Sequence, residues 1–224
     1  MAARVRQALA VHSTSRGCHA ALLCHDGRTA VASAPQASSA LPGMVTSLLS
    51  EAGLTLADLE LLAVARGPGS FTGIKISIAC VWALARAARL PMVGVGSLEA
   101  LAAAGQAAPA GSAVLAVAGA YGGKVYAGRF VVGDDGLPDL PGQLRVGPPS
   151  CLADLTEGLH LAIVESTPEA GLALPALGDR RIVSVEPGPA LAEAVVRLAG
   201  RSRERGVASP ADPLYLRADP GRAW

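Results

Sequence analysis

Apolar and polar positions along the chain follow two periods, and each period predicts a different kind of element. In the first third of the chain, four short apolar runs are typical of strands: residues 5–11, 18–24, 29–33 and 58–66. Asp26-Gly27 predicts a tight turn that joins the second and third strands as a hairpin. From Ser39 the period becomes helical, and Gly53 ends this helix. Its apolar face carries Leu41, Val45, Leu48, Leu49 and Ala52.

The same order of elements recurs further along the chain. A glycine-rich segment precedes a helix over residues 74–89, after which a short strand from Met92 leads into a helix that begins at Ser97. Further strands are predicted at residues 113–118, 124–132, 160–164 and 182–185. Residues 137–149 are rich in Pro and Gly and are predicted to be irregular, whereas residues 151–157 form a short helix. Pro189 begins the last long helix, with Leu191, Val195, Val196 and Leu198 facing inward.

Hairpin strands followed by β–α alternation, given twice, predict an α/β protein of two lobes with mixed sheets. Residues 103–112 are small and aperiodic, and they provide the linker. The expected division is an N-terminal lobe of residues 1–105 and a smaller C-terminal lobe of residues 111–224, which includes an extended tail.

Composition removes several classes of protein. Hydrophobic residues make up 51% of the chain and charged residues 17%, which excludes a disordered chain. The formal net charge of +1 excludes a strongly basic nucleic-acid-binding surface as a global property. The longest apolar stretch, residues 76–85, is about half the length that a membrane span requires. We therefore expect a soluble, cytoplasmic protein without a membrane segment.

The cysteines and histidines do not indicate a metal site. Cys18, Cys24, Cys80 and Cys151 form no CxxC motif, and free thiols are expected. His19 and His25 are predicted to lie on one face of a strand, but a third ligand is not evident. Histidines that are exposed or lie at the edge of the core are the expected interpretation.

The sharpest motif is the segment GPGSFTG at residues 67–73, between a predicted strand and a predicted helix. Glycines permit close approach to the backbone, and the free N–H groups of the following helix can bind an anion. Ser70 or Thr72 would cap that helix. The residues that could contact an anion or a nucleotide are Gly67, Gly69, Ser70, Thr72 and Gly73. The alternative is a tight strand-to-helix turn without a ligand.

Residues 65–102, together with Leu41-Pro42 and residues 213–217, closely resemble the bacterial TsaB family, formerly called YeaZ. This family belongs to the Gcp-like, peptidase M22-like superfamily, and the resemblance covers most of the chain. It implies an actin-like ATPase (ASKHA) fold of two RNase H-like lobes. It also implies a role in making threonylcarbamoyladenosine in tRNA, although this sequence is a divergent member.

The resemblance implies a non-catalytic scaffold subunit. In the family, TsaB pairs with its paralogue TsaD, which transfers the threonylcarbamoyl group to the adenosine next to the anticodon. A TsaE-type ATPase joins the pair, and isolated TsaB forms a homodimer. The resemblance implies no cofactor that belongs to this subunit alone, but ATP or ADP bound at the subunit interface. It also implies that this subunit contacts tRNA only indirectly. Two alternatives remain open: a small actin-like ATPase or phosphotransferase, and a divergent homodimer with a different binding role.

Three positions depart from the family pattern. His12 stands at the end of the first strand, where the family has an aspartate. Gly119 stands where the family has the aspartate of an Asp-Ala-Arg segment, and Lys124 replaces a glutamate. Because Mg²⁺ prefers oxygen ligands, an imidazole at position 12 weakens any claim of nucleotide hydrolysis. The old peptidase label also has no support, since the sequence contains no HExxH motif.

The helices predicted at residues 39–53 and 74–89 provide the partner hypothesis. The second helix is apolar nearly all round, which indicates burial on two sides. The resemblance implies that these helices form the interface with TsaD, through Leu41, Val45, Leu48, Ile74, Ile78, Val81 and Trp82. The alternative is a helix buried within one monomer. A run of arginines at residues 197–205 could contact tRNA, but a solvated helix end is the favoured interpretation.

Overall fold

The computed structural model describes residues 4–35, 37–105, 108–139, 143–207 and 210–216. Within these ranges the chain divides into two compact units. The first unit contains residues up to Ala100 and residues from Pro187 to Leu214. The second contains residues from Leu101 to Glu186 and the residues that follow Leu214.

The first unit is built on a five-stranded mixed sheet. Its strands are β1 (Ala8–His12), β2 (Cys18–Leu23), β3 (Thr29–Ala34), β4 (Leu61–Ala65) and β5 (Met92–Val95). They lie in the order β3-β2-β1-β4-β5. The first three strands form an antiparallel meander, and β4 and β5 are parallel to β1. The predicted hairpin is therefore confirmed, and the turn after β2 contains Gly27 with a φ of 83°.

Two helices pack on one face of this sheet: α1 (Ala37–Glu51) and α2 (Phe71–Ala88). A short 3₁₀ helix (Leu56–Asp58) precedes β4, and α3 (Ser97–Ala104) follows β5. The core on this face combines alternate residues of the strands with the inner faces of both helices. Its buried members include Leu9, Val11, Leu22, Leu62, Val64, Met44 and Leu49.

The last helix, α6 (Pro189–Glu204), packs on the first unit across β1 and β2. This placement corrects the expected boundary, which assigned residues 187–214 to the C-terminal lobe. The reason is the buried face that the sequence predicted, since Leu191, Val195, Val196 and Leu198 are all at most 1% exposed. Along β1 and β2, the residues on this face of the sheet alternate with those that face α1 and α2. They are small and fully buried, as at Ala10 and Ala21. Small side chains let a helix approach a sheet closely.

The second unit repeats the topology of the first. Its strands are β6 (Ala113–Ala120), β7 (Lys124–Val131), β8 (Gln143–Gly147), β9 (Leu161–Glu165) and β10 (Ile182–Val185). Their order is β10-β9-β6-β7-β8, with an antiparallel meander followed by two strands parallel to β6. A 3₁₀ helix (Pro149–Leu155) and two short helices, α4 (Pro168–Gly171) and α5 (Leu174–Leu177), cover one face. Two α/β lobes with mixed sheets are thereby confirmed.

The prediction of irregular structure over residues 137–149 was wrong in part. Residues Gln143–Gly147 form β8, which pairs with β7 at the edge of the sheet. An edge strand is paired on one side only, so five residues between proline-rich segments suffice to form it. Helices α4 and α5 were also not predicted, since four residues are too few to show a helical period.

Candidate functional site

The GPGSFTG segment connects β4 to α2 in the first unit. Ser70 is the N-cap of α2, and its hydroxyl accepts a hydrogen bond from the Gly73 N–H at 3.3 Å. The N–H of Ser70 itself donates to the carbonyl of Thr14 at 2.7 Å. The start of α2 is therefore fastened to the β1–β2 loop, which contains Ser13 and Thr14.

Two glycines of this motif are required by that contact. A Cβ at Gly69 would overlap the carbonyl oxygen of Thr14, and a Cβ at Gly73 would overlap the carbonyl oxygen of Ser13. Because both neighbours are backbone atoms, no rotamer change could relieve the overlap. The motif thus allows two loops to meet backbone to backbone.

The third glycine faces a segment near the end of the chain, residues 210–214, which we call the C-terminal strap. Gly67 has a φ of 108°, and a Cβ there would lie 2.5 Å from the Leu214 carbonyl oxygen. The Leu214 N–H donates to the Arg66 carbonyl at 2.7 Å. A Cβ at Gly94 in β5 would likewise overlap the Pro210 carbonyl. The strap therefore crosses the ends of β4 and β5. Arg217, the last residue of the matching tail segment, lies outside the described residues.

These contacts account for all three glycines without a ligand, which favours the tight-turn interpretation of the motif. Thr72 is exposed in the first turn of α2, and the Ser70 hydroxyl is engaged as the cap. An anion or nucleotide contact at this loop stays a prediction.

His12 lies at the end of β1 with its side chain 2% exposed. Its Nε2 and the Thr14 Oγ1 are 3.0 Å apart. Burial, together with a smaller effect of the nearby His19, lowers the pKa of His12 to about 3. The residue is therefore a neutral imidazole at physiological pH, which carries neither the charge nor the oxygen ligands of the expected aspartate.

His19 pairs with His12 across the β1–β2 ladder, with ring centroids 6.4 Å apart. Its Nδ1 contacts the Ser33 Oγ at 2.8 Å and its Nε2 contacts the Arg16 carbonyl at 3.0 Å. Burial lowers the pKa of His19 as well. The prediction that His19 and His25 share one strand face was wrong, because β2 ends at Leu23 and His25 lies in the exposed turn. No group of three potential metal ligands occurs among the residues that the structure describes.

Most residues assigned to a partner interface lie in the core of the first unit. Leu41, Val45, Leu48, Ile74 and Val81 are at most 3% exposed. Ile78 is half-buried, and Trp82 is 58% exposed. Leu41, Val45, Leu48 and Val81 belong to the core between the sheet and the two helices, and Ile74 lies beside Gly67. These five side chains therefore form no exposed surface in this structure. The helical period was correct, but it marked the inner face.

The exposed face of α2 lies on the opposite side of the helix. It carries Phe71, Lys75, Ala79, Trp82, Ala83 and Arg86. Phe71 is 57% exposed, and the Lys75 Nζ lies 4.1 Å from the centroid of its ring. Two large aromatic side chains on one exposed helix face are unusual in a chain with only 3% aromatic residues. We call these six residues the α2 outer face.

Helix α2 has the length and composition of a membrane span. Its inner face, however, carries the buried residues Gly73, Ile74, Ser77, Val81 and Ala85. Lys75 and Arg86 stand on its outer face. This division between a packed and a charged side is typical of a helix at the edge of a packed core.

Two positions that depart from the family pattern, Gly119 and Lys124, lie at the β6–β7 hairpin of the second unit. A Cβ at Gly119 would lie 2.5 Å from the Glu169 Cβ in α4, so the position that holds an aspartate in the family has no room for a side chain. Tyr121 at the hairpin tip is 98% exposed, and Lys124 begins β7. Helix α4 therefore packs directly against the backbone at Gly119.

The arginine run at residues 197–205 is not simply a solvated helix end. The Arg201 guanidinium and the Glu99 carboxylate form an ion pair at 3.4 Å, with side chains only 10% and 12% exposed. Arg201 therefore ties α6 to the start of α3 within the first unit. The four cysteines are free, as expected, and burial raises the pKa of the Cys18 thiol to about 11, which makes it unreactive.

Comparison with known proteins agrees with this architecture. The family described as TsaD, tRNA N6-adenosine threonylcarbamoyltransferase, matches residues 31–163, more than half of the chain. The TsaB protein of Escherichia coli, named as a tRNA threonylcarbamoyladenosine biosynthesis protein, is 38% identical over 94 residues, which are 42% of this chain and 41% of that protein. An uncharacterized protein of Mycobacterium tuberculosis is 34% identical over 77% of this chain and 71% of its own length.

Among solved structures, YeaZ from Pseudomonas aeruginosa superimposes with a TM-score of 0.78 at 30% identity, covering 94% of this chain and 99% of that one. The two mixed-sheet lobes therefore define an actin-like fold of the Gcp-like class. Within that class, the chain belongs to the TsaB (YeaZ) family. Its alignment spans less than half of the E. coli protein, but the fold match is nearly complete.

The backbone contact at Gly73 predicts a strong effect of a single methyl group. Gly73→Ala should lower the free energy of unfolding by about 3 kcal/mol or more, because the new Cβ meets the Ser13 carbonyl. Gly43 is the matched control, since it lies on the exposed side of α1 and a Cβ added there would have nothing within 4 Å. Gly43→Ala should raise stability by roughly 0.5–1 kcal/mol. Urea denaturation measures both, and equal effects would refute the packing role of Gly73.

The buried imidazole of His12 predicts that acid destabilises the protein. Its pKa is about 3 in the folded chain and near the ordinary value of 6.5 when unfolded. Below pH 6.5 the unfolded chain therefore binds a proton that the folded chain does not, and stability falls by up to about 1.4 kcal/mol per pH unit. His12→Asn should reduce this slope between pH 6.5 and 5, and Ser47→Asn, at an exposed position of α1, should leave it unchanged. Chemical denaturation at several pH values tests the difference.

Proposed function

We propose that this chain is a cytoplasmic accessory subunit in the synthesis of threonylcarbamoyladenosine in tRNA. It pairs with a TsaD-type protein and carries no active site of its own. Membership of the TsaB family supports the pathway, since relatives from Escherichia coli and Haemophilus influenzae are both named as biosynthesis proteins for this nucleoside. The pairing itself is argued from the surface of the first unit.

The observation that carries this proposal is the α2 outer face. Phe71 and Trp82 each expose more than half of their side-chain surface on the same helix. Ala79 lies between them and Ala83 follows Trp82, and such small side chains let a second helix approach closely. Lys75 and Arg86 are the charged residues of this face. Large aromatic side chains surrounded by small and charged residues are typical of the centre of a protein interface. The partner surface is therefore the outer side of α2 rather than the face that the helical period marked.

A TsaD-type paralogue is the expected partner at the α2 outer face because it shares this fold class. Helices on equivalent faces of two such lobes can pack against each other with pseudo-twofold symmetry. The same argument explains a homodimer when the chain is alone, since an α2 outer face can meet a second copy of itself. A TsaE-type ATPase would join the pair. With a formal net charge of +1, this subunit would contact tRNA only indirectly.

The absence of an active site is argued from β1. A catalytic carboxylate at the end of this strand would hold the metal-bound phosphates of ATP, but His12 is neutral and buried there. If metal-bound phosphates are held at a subunit interface, the carboxylates that hold them would have to come from the partner. Any ATP or ADP at that interface would therefore be bound mainly by the TsaD-type protein.

Complex formation tests the partner surface. The chain should co-purify with the TsaD-type protein encoded in the same genome, and Trp82→Asp should weaken the complex at least tenfold, because a carboxylate would be desolvated at the centre of the interface. Val31→Asp is the matched control, since Val31 is 41% exposed on β3, away from α2. Isothermal calorimetry measures both affinities. An unchanged affinity for the Trp82 variant would refute the interface.

The same variants test the pathway in cells. In a bacterial strain depleted of its own TsaB, the unmodified chain and the Val31 variant should restore threonylcarbamoyladenosine in bulk tRNA, together with the cognate TsaD-type protein. The Trp82 variant should not. Nucleoside analysis by mass spectrometry gives the readout. If the unmodified chain forms the complex yet restores no modified nucleoside, the proposed pathway is wrong although the interface stands.

Nucleotide binding separates an accessory subunit from an ATPase. For the isolated chain, Mg²⁺ should not strengthen any binding of ATP, because His12 offers no oxygen ligand to the metal. Calorimetric titration with ATP, in the presence and absence of Mg²⁺, measures this. A Mg²⁺-dependent gain in affinity together with ATP turnover would instead support the small ATPase.

A further inference from the structure

The edges of the two sheets differ in how they are protected. Within the described residues the edge strands are β3 and β5 in the first unit and β8 and β10 in the second. An edge strand exposes a row of unpaired backbone groups, so natural proteins keep such strands short, charged or covered. Strands β5 and β10 have four residues each, and β8 carries the exposed Arg145. The C-terminal strap also lies against β5, where a Cβ at Gly94 would overlap the Pro210 carbonyl.

Strand β3 has none of these protections. It runs over six residues, Thr29–Ala34, and contains no charged residue, proline or glycine. Thr29, Val31 and Ser33 are exposed, and Val31 leaves 41% of its surface open. In the part of the chain that the structure describes, no strand pairs with the outer side of β3. This side can therefore accept a further strand.

The pairing of β3 with β2 determines which backbone groups point outward. In an antiparallel ladder, residues that bond to the neighbouring strand alternate with residues whose N–H and C=O groups face the other side. At the turn, the Cys24 N–H donates to the Arg28 carbonyl at 2.9 Å, so Arg28 bonds toward β2. This alternation places the backbone groups of Thr29, Val31 and Ser33 on the outer side of the sheet.

These outward groups are symmetric about Val31, which makes the edge complementary to itself. A second, antiparallel β3 related by a twofold axis at Val31 would place Val31 opposite Val31, and Thr29 opposite Ser33 of the other copy. Each pair would exchange both N–H···O bonds, and its side chains would lie on one face of the sheet. Apolar pairs and hydroxyl pairs across strands are both favourable. A shift of one residue would turn the bonding groups away from one another, and a shift of two would leave one residue of each copy unpaired.

Charge does not oppose this pairing. Arg28, the residue before β3, has a side chain that is 85% exposed, and it forms an ion pair with Asp26 of the same turn. In the symmetric register Arg28 stands opposite Ala34 of the other copy. The two arginines are then roughly 20 Å apart along the strands, given about 3.4 Å per residue. Salt largely screens repulsion between exposed charges at that distance.

We propose that β3 is a self-association edge, through which two copies of this chain join the sheets of their first units about a twofold axis at Val31. This edge is separate from the α2 outer face, because α2 packs over β4, which stands three positions from β3 in the sheet. A single pair of six-residue strands buries less than the about 1,200 Å² of the smallest stable interfaces. The dimer is therefore weak and depends on protein concentration.

The test uses the full chain with Trp82→Asp, which removes association through the α2 outer face. Sedimentation velocity over a wide range of protein concentration should show an equilibrium between monomer and dimer. Adding Val31→Lys should weaken the dimer at least tenfold, because like charges would face each other at the axis. Val131→Lys is the matched control and should not change the dimer. Val131 is 50% exposed, but it lies on β7, which has a neighbouring strand on both sides.

Mixing two variants tests the register itself. In the same Trp82→Asp background, Val31→Asp alone should also be monomeric, whereas an equimolar mixture of the Val31→Lys and Val31→Asp chains should dimerise again, because opposite charges then meet across the axis. The proposal is overturned if the Trp82→Asp chain stays monomeric, if Val31→Lys dimerises equally well, or if the mixture does not recover. None of these results bears on the pairing with a TsaD-type protein, which the affinity of the single Val31→Asp variant for that protein measures separately.

Discussion

The backbone contact between the β1–β2 loop and the GPGSFTG loop sets the geometry of the first unit. Gly69 and Gly73 bring the start of α2 against the carbonyls of Thr14 and Ser13, closer than any side chain would permit. The hydrogen bond from Ser70 N–H then fixes the axis of α2 relative to β1. The direction in which α2 presents its outer face depends on this contact.

This contact also changes the interpretation of the glycine motif. Glycine-rich segments between a strand and a helix often bind phosphate through backbone N–H groups. Here the N–H of Ser70 is used by the protein itself, and so is that of Gly73. The glycine motif therefore joins two loops of the first unit through their backbones.

Much of the fold could be predicted from the sequence, because local patterns determine it. The strands of the first meander, β6, β7, α1, α2 and the cap at Ser70 follow from periodicity and turn residues. The return of α6 to the first unit could not be predicted, since an apolar helix face does not specify which sheet covers it. Nor could the sequence show which side of α2 is buried and which is exposed. Ile74 and Trp82 belong to one apolar helix, but only the tertiary packing shows that the first is buried and the second exposed.

The candidate site was harder to predict than the fold. His12 stands out in the sequence as a departure from the family pattern, but its pairing with His19 depends on strand register across the hairpin. The contacts of Gly69 and Gly73 with the β1–β2 loop likewise exist only in three dimensions. Sequence reasoning can name the glycine motif, but it cannot show which backbone atoms its glycines meet.

The chain order of the two units has a consequence for biosynthesis. The main segment of the second unit runs from Leu101 to Glu186, whereas the first unit is completed only by α6 and the C-terminal strap. During synthesis on the ribosome, one apolar face of the first unit's sheet therefore stays uncovered until α6 has been made. Val5 N–H bonds to the Glu204 carboxylate at 3.1 Å, so the segment before β1 is fastened only after α6 is complete. The main segment of the second unit is therefore synthesised before the first unit can be completed.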